Sequence, residues 1–314
     1  MLLKPFNQIS KNEVSLCGGK ATSLGFMIQN GFVIPDGFVV TTQAFDLFRI
    51  VAANFNSPLD KSNKSDRITN QFLKQVQDDT EGGVQDDAIT SLINQIYAAF
   101  DSLGCKYVAV RSSATAEDSA QFSFAGQFDT FLNVARENLI EKVFECFQGL
   151  QSPRCKAYLA QADLDISKIK VAVVVQKMIQ SEIAGVAFTN HPVTKNTNQI
   201  LIEAGYGLGE AVVSGQITPD NYLIDKTSLD IIDSNISAQS KGLFLSNDPN
   251  THNKWQEIPK IQQNQQKLSN SQIQELAKTN IQIEKLYGFP CDIEWALAQD
   301  KIYILQSRPI TTIK

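Results

Sequence analysis

Apolar residues fall along the chain in blocks with the spacing of either a strand or a helix. The segment "VAVVVQKMI" (171–179) is a continuous apolar run of strand length, and "AGVAFTNHP" (184–192) is a further strand closed by a proline. The segment "ENLIEKVFECFQGL" (137–150) has the apolar spacing of an amphipathic helix, which Gly149 ends. This mixture of strands and helices predicts an α/β (α+β) fold.

The N-terminal part of the chain shows the same mixture. The segment "NEVSLCGGKATSLGFMIQNG" (12–31) predicts a loop and a short helix that ends at a glycine, and "FVIPDGFVVTTQAFDLF" (32–48) predicts a turn, a strand and a helix. The segment "KYVAVRSS" (106–113) is a short apolar strand whose end delivers an arginine and two serines to a loop. Residues 53 to about 90 are polar and weakly patterned, and we expect loops at "NSPLDKSNKSD" (56–66) and "DDTEGG" (78–83).

The C-terminal part begins with "QILIEAGYGLGEAVVSG" (199–215), which predicts a strand, a glycine-rich turn and then a helix or strand. A Gln- and Asn-rich stretch (262–288) begins as a polar linker and becomes a helix that ends at a glycine. The segment "CDIEWALAQDKIYILQSRPITTIK" (291–314) predicts two strands around Gln299 and Asp300. Residues 226–270 carry no functional signal.

Composition excludes several classes of function. The chain has 314 residues, 43% hydrophobic and 19% charged, a balance typical of a globular protein with about two domains. Its formal charge of -5, without a cluster of Lys or Arg, argues against nucleic acid as a partner. No stretch approaches the roughly 18 apolar residues of a membrane span. The five cysteines are widely spaced without a CxxC motif, so we expect reduced thiols and a cytoplasmic location.

Two cations stand where a phosphate group can bind. Lys20 follows two glycines at the start of a helix, where free N–H groups favour an anion, although an exposed lysine after a turn is more often solvated. Arg111 precedes a run of small and hydroxyl residues whose backbone can approach phosphate oxygens. The alternative for Arg111 is an ion pair with Glu117 or Asp118 in a structural loop. The pattern alone leaves both alternatives open.

Other motifs are weaker. In "GYGLGE" (205–210) glutamate stands where a dinucleotide-binding fingerprint needs its third glycine, so a mobile or tightly turned loop is the better interpretation. His191 and His252 have no catalytic motif around them, and we expect a structural role for His191.

The last two predicted strands carry polar residues at every second position. Asp292 and Glu294 share one face of their strand, and Gln306 and Arg308 share one face of the next. A three-residue loop (299–301) would place Glu294 opposite Gln306, whereas a two-residue loop would put the pairs on opposite faces. A carboxylate and an amide oxygen beside an arginine suit Mg²⁺ that carries phosphates. The alternative is a cross-strand salt bridge without a function.

Taken together, these residues resemble the nucleotide-binding domain of the phosphoenolpyruvate synthase, pyruvate phosphate dikinase and rifampicin phosphotransferase family. The blocks "GGKATSLG", "IPDGFVVTT", "RSSATAED", "FAGQFDTFLNV", "VQKM", "GVAFTNHP", "GLGEAVVSG", "DIEWAL" and "LQSRPIT" match that family in order and cover nearly the whole chain. The resemblance implies an ATP-grasp fold, in which two α/β lobes hold ATP in a cleft. It implies an N-terminal lobe over residues 1–178 and a C-terminal lobe over 179–314.

The resemblance also implies a set of site residues. Lys20 and Arg111 would hold phosphates, and Gly126 and Thr130 would belong to a loop over the nucleotide. Gln176 would lie near the adenine. In the terminal hairpin, Glu294 and Gln306 would bind Mg²⁺, and Arg308 would stabilise charge on the transferring phosphoryl group. The ATP-binding residues implied are thus Lys20, Arg111, Gly126, Thr130, Gln176, Glu294, Gln306 and Arg308, of which Lys20, Arg111 and Arg308 would be catalytic.

The reaction that the resemblance implies is ATP-dependent phosphotransfer of the kinase or dikinase type. MgATP would be cleaved to AMP and phosphate, with transfer of a phosphoryl group to a histidine on a swivelling domain. That domain and the acceptor domain of the family follow the ATP-binding part, and neither is recognisable before Lys314. We therefore expect the histidine on a separate chain or on a missing part of a longer protein. The alternative function is a nucleotide-binding regulatory or interaction module without turnover.

Overall fold

The computed structural model describes residues 1–54, 84–116, 128–246 and 252–310. These residues form two compact units, and each is described by itself. The first unit holds residues 1–25, 36–54, 84–116 and 128–178, and the second holds 26–35, 179–246 and 252–310. The assignment of residues 1–178 and 179–314 to two ATP-grasp lobes remains a prediction.

The first unit contains a five-stranded antiparallel sheet with strand order β1-β2-β5-β3-β4. Its strands are β1 (Leu3–Pro5), β2 (Gly37–Val40), β3 (Val108–Ala114), β4 (Thr130–Val134) and β5 (Val171–Lys177). The helices in this part of the chain are α1 (Val14–Gln29), α2 (Thr42–Asn54), α3 (Val84–Ser102), α4 (Leu139–Gln148) and α5 (Pro153–Gln161).

The core of the first unit lies between the sheet and helices α2 and α4. Every residue of β3 is buried, and so are the first six residues of β5. The Phe144 ring of α4 stacks on Phe48 of α2 at a centroid distance of 5.3 Å, and Phe147 packs on Phe45 at 5.6 Å. Burial of each such side chain contributes about 1.5–3 kcal/mol. This packing fixes the strands that carry the first group of site residues.

The second unit contains a six-stranded antiparallel sheet with strand order β13-β12-β6-β7-β8-β9 and a separate pair, β10-β11. The strands are β6 (Ile183–Phe188), β7 (Gln199–Tyr206), β8 (Asp220–Asp225), β9 (Ile231–Asn235), β10 (Lys241–Leu245), β11 (Asn253–Glu257), β12 (Cys291–Ala298) and β13 (Lys301–Pro309). The helices are the short α6 (Glu210–Val213) and α7 (Asn270–Tyr287).

Helix α7 has clear signals at both ends. The Ser269 side chain accepts a hydrogen bond from the Gln272 N–H, and the Gln272 side chain accepts one from the Ser269 N–H, which is a capping box. Gly288 ends the helix with a φ of 79°, as the sequence predicts. Cys291, Ile293 and Trp295 are fully buried on one face of β12, whereas Asp292 and Glu294 on the other face are half-buried. The half-buried face is therefore the one available to a ligand.

The mixed α/β fold predicted from the sequence is confirmed. Residues 84–90, at the end of the weakly patterned stretch, belong to the start of α3. Residues 55–83 lie outside the described part of the chain. None of the helices in the described ranges is long and apolar enough to cross a membrane.

Candidate functional site

The first group of candidate residues forms where helix α1 approaches strand β3. The helix is interrupted at Gly18, whose φ of 73° and ψ of 169° are not helical. A Cβ atom at this position would lie 2.1 Å from the Ser113 backbone oxygen, so the approach requires glycine. Lys20 is buried, and its Nζ donates a 2.9 Å hydrogen bond to the backbone oxygen of Ser112. The close approach at Gly18 thus brings the lysine ammonium against β3.

Arg111 lies on β3 beside two other candidate residues. It is 8% exposed and stands directly opposite Thr130 of β4 and Val174 of β5, so these three residues share one face of the sheet. Gln176 lies two residues beyond Val174, on that same face, and is 2% exposed. The strands of the first unit therefore bring Arg111, Thr130 and Gln176 to a common face.

The loop predicted over the nucleotide, with Gly126 and Thr130, is described only in part. Thr130 is the exposed first residue of strand β4 and is held in the ladder opposite Arg111, so its placement in a loop is wrong. Gly126 lies outside the described residues, as do Glu117 and Asp118, the alternative partners of Arg111. The first group thus contains two largely desolvated cations: Arg111 on β3, and Lys20 of α1, whose ammonium contacts the same strand. Such cations suit a phosphate, because their attraction for an anion is strengthened by burial.

The second group lies on the terminal hairpin of the second unit. Strands β12 and β13 pair so that Glu294 is opposite Gln306 and Asp292 is opposite Arg308. All four residues consequently share the half-buried face of the sheet. This is the register that the proposed metal ligands require.

A two-residue loop and a β-bulge together produce this register. Ala298 pairs with Lys301, so the loop contains only Gln299 and Asp300, both with positive φ of 52° and 57°. A two-residue loop alone would have placed Glu294 opposite Leu305. The ladder instead shifts between Glu294 and Trp295, where Leu305 is the additional residue of a β-bulge. Of the two loop lengths considered from the sequence, the two-residue loop is present, and the bulge supplies the residue that keeps both polar pairs on one face.

Arg308 is held by a carboxylate on the neighbouring strand. Its Nε and Nη2 lie 2.8 Å and 2.7 Å from Asp292 Oδ2. Asp292 Oδ1 is buried and accepts no hydrogen bond from the described residues. Burial raises the pKa of Asp292, and the charge of Glu294 adds to the increase, while Arg308 opposes it. The salt bridge considered from the sequence is therefore present, and it fixes the guanidinium on the same face as Glu294 and Gln306.

The hairpin residues fit a magnesium ion. The Glu294 carboxylate and the Gln306 amide supply hard oxygen ligands on adjacent strands, and the unbonded Oδ1 of Asp292 favours a nearby cation. The described residues contain no group of three or more His, Cys, Asp or Glu that could hold a metal ion. An ion at this place would thus need oxygen ligands from a bound nucleotide, as Mg²⁺ sites commonly do.

Glu203 is a further acidic residue on this face that the sequence analysis missed. Val186 of β6 stands opposite both Glu294 of β12 and Glu203 of β7, so the three residues form one row across the sheet. Burial raises the pKa of Glu203, and the Asp292 charge adds to that increase. A glutamate among the apolar residues of "QILIEA" was the available signal, but its relation to Glu294 depends on the strand order.

The weaker motifs have structural roles. Gly207, with a φ of 92°, ends β7 in a tight turn, and the Leu208 N–H donates a 2.8 Å hydrogen bond to the Leu243 oxygen. His191 Nδ1 accepts hydrogen bonds from the N–H groups of Val193 and Thr194, each at 3.2 Å. Neither segment contributes a reactive group to the two clusters described above.

Comparison with known proteins agrees with this combination of fold and side chains. The family model described as "Pyruvate phosphate dikinase, AMP/ATP-binding domain" matches residues 14–314. The chain belongs to this family, and ATP is accordingly the ligand that the family implies.

Among curated relatives, the "Probable phosphoenolpyruvate synthase" of Methanocaldococcus jannaschii is 40% identical over 98% of this chain and 26% of its own length. The phosphoenolpyruvate synthase of Pyrococcus furiosus is 38% identical over 99% of this chain and 44% of its own length. The rifampicin phosphotransferase of Bacillus cereus is 36% identical over 98% of this chain and 36% of its own length. The chain therefore spans less than half the length of these relatives.

A solved structure of D-alanyl-alanine synthetase A from Vibrio cholerae matches 71% of this chain and 50% of its own chain, with 14% sequence identity and a TM-score of 0.27. A likeness at that level carries no argument about how this chain is arranged.

Proposed function

We propose that this chain is the ATP-binding component of a phosphoenolpyruvate synthase-like phosphotransferase with an ATP-grasp arrangement. In this proposal MgATP is cleaved to AMP and phosphate, and a phosphoryl group passes to a histidine on a swivelling domain of another chain or of another part of the same protein. A cytoplasmic location is part of the proposal and is supported by the free cysteines of the described residues. The observation that carries the proposal is the register of the terminal hairpin in a chain of this family.

In the first unit, Lys20 and Arg111 would bind phosphate oxygens. Both side chains are largely buried, and the Lys20 ammonium is held by the Ser112 carbonyl rather than left free to rotate in water. A cation fixed in advance loses little entropy when an anion binds, and it stabilises charge without reorganisation. Gln176 supplies a buried amide on the same sheet, which suits recognition of a purine edge.

In the second unit, Glu294 and Gln306 would hold Mg²⁺, which would neutralise phosphate charge and orient the reacting groups when bound. Arg308 would stabilise negative charge that develops on the transferring phosphoryl group. Asp292 fixes the Arg308 guanidinium through two nitrogens, so one edge of the guanidinium is engaged by the protein. Phosphoryl transfer depends mainly on such positioning and electrostatic stabilisation, because the protein has little covalent chemistry to perform.

The alternative function is a nucleotide-binding regulatory or interaction module. It shares the ATP-binding residues and differs in turnover. Stabilisation by MgATP without formation of AMP in the presence of any histidine-bearing partner would favour this alternative.

The proposed roles are separated by two substitutions. We expect Glu294→Ala to weaken Mg²⁺-dependent ATP binding by about tenfold or more, because the ion loses a charged ligand. We expect Arg308→Ala to retain binding but to lower phosphotransfer at least about 100-fold, because its charge is required in the transition state. Calorimetric titration with MgATP and an AMP assay measure the two effects.

The matched control is Arg136→Ala, which removes an exposed arginine that pairs with Asp101 on the surface of the first unit. This variant should bind and turn over as the unmodified chain does. Unchanged behaviour of both the Glu294 and the Arg308 variants would contradict the assignment.

A further inference from the structure

The hydroxyl group of Ser113 connects strand β3 to both sides of the interruption in helix α1. Ser113 Oγ donates a 3.1 Å hydrogen bond to the Cys17 oxygen, which precedes Gly18, and accepts a 3.3 Å hydrogen bond from the Ala21 N–H, which follows it. Ser113 is completely buried. One side chain thus satisfies an acceptor and a donor that the non-helical Gly18 separates.

The two hydrogen bonds of Ser113 hold the turn that carries Lys20. The lysine lies between Gly18 and Ala21, and its Nζ reaches the Ser112 oxygen of the same strand at 2.9 Å. A further hydrogen bond, from Thr22 Oγ1 to the Gly18 oxygen at 2.7 Å, closes the turn from the helix side. The backbone that bears Lys20 is therefore attached to β3 on both sides of the lysine.

We propose that Ser113 is a positioning residue for Lys20, and that its hydroxyl fixes the interrupted turn of α1 so that the lysine ammonium is held in place for an anionic phosphate ligand. Ser113 acts through Lys20 and the adjacent backbone. The inference rests on the phosphate-binding role given to Lys20 in the proposed function.

The physical reason lies in the two groups that the hydroxyl satisfies. Without it, the Ala21 N–H and the Cys17 oxygen remain in a buried place without this partner, which is costly for polar groups. The turn is then expected to relax away from β3, and Lys20 loses its fixed position. Part of the phosphate-binding free energy is consequently spent on ordering the turn again.

The test is a double-mutant cycle of Ser113→Ala and Lys20→Ala, with MgATP affinity measured by calorimetry and folding by thermal unfolding. We expect Ser113→Ala to weaken MgATP binding by about tenfold in the unmodified chain, as expected for a lost buried hydrogen-bond partner. In the Lys20→Ala background the same change should have little further effect on affinity, because its action passes through the lysine.

Thr42→Val is the matched control. Thr42 Oγ1 donates a 2.9 Å hydrogen bond to the Ser15 oxygen, which is also on α1 but lies before Gly18. This variant should lower the unfolding temperature without a change in MgATP affinity. If Ser113→Ala does not fold, Ser113→Cys takes its place, since the thiol fills the space but is a weak donor and acceptor.

Equal losses of affinity from the Ser113 change in the presence and absence of Lys20 would overturn the inference, as would unmodified affinity in a folded Ser113 variant. Failure of the unmodified chain to bind MgATP would contradict the proposed function itself, so the two failures are distinguishable.

Discussion

The ionised carboxylate of Glu203 is disfavoured where it lies in the folded chain, which lowers the free energy of unfolding at neutral pH. Burial and the neighbouring Asp292 charge raise its pKa, so the folded chain binds this proton more tightly than the unfolded chain does. Stability is therefore lost as the pH rises from the ordinary carboxyl pKa of about 4 through the raised value. This loss of stability arises from the Glu203 carboxyl, and it can be measured without added metal, so that metal binding does not contribute.

We predict that Glu203→Gln raises the unfolding temperature relative to the unmodified chain at pH 8, and that this difference disappears as the pH falls toward about 4. Thermal unfolding without added metal measures the effect. The control is Glu257→Gln, an exposed glutamate on β11, which should show no comparable gain. A stability difference that is the same at both pH values would contradict the explanation by charge burial.

The sequence identified some site residues and missed others. Lys20 and Arg111 were marked by local patterns, a pair of glycines and a strand end, but those patterns did not predict that both side chains are buried. Glu203 was marked only as a glutamate in an apolar strand, and its nearness to Asp292 arises only because β6 is inserted between β7 and β12. Sheet order is set by packing over the whole unit and cannot be read from a single strand.

At the scale of elements, the terminal hairpin depends on one additional residue. Leu305 lies in the β-bulge that brings Gln306 opposite Glu294 despite the two-residue turn. The sequence predicted both strands and the faces of their polar residues. It did not reveal the bulge, and a Gln-Asp turn lacks the Asn-Gly signal that normally identifies two residues with positive φ.

We predict that deletion of Leu305 retains Mg²⁺-dependent ATP binding within about threefold, since a regular hairpin with the same turn still pairs Glu294 with Gln306. Insertion of one alanine between Leu305 and Gln306 should instead lower the affinity at least about tenfold, because it shifts Gln306 and Arg308 along the ladder. Calorimetric titration of both variants measures the effect. Equal losses in the two variants would show that the register is not what matters.

At the scale of the whole chain, sequence and structure agree on a mixed α/β protein, and the family match covers residues 14–314. Lys267, within the stretch 226–270 that carries no functional signal in the sequence, serves the second unit structurally. Lys267 and Asp220 form a fully buried ion pair at 2.7 Å, and the Tyr222 hydroxyl donates to the same carboxylate. Such a pair depends on contacts across about 50 residues, which no local pattern contains.

The proposed reaction is phosphotransfer from ATP to a histidine on a partner domain. The most direct measurement incubates this chain with MgATP and the isolated histidine domain of a related phosphoenolpyruvate synthase, then quantifies AMP and the phosphorylated domain. We expect both products to form together, and neither to form with Arg308→Ala or with a domain whose histidine is replaced. Absence of AMP and of phosphorylated domain, when the same domain is phosphorylated by its own ATP-binding part, would contradict the proposed phosphotransfer.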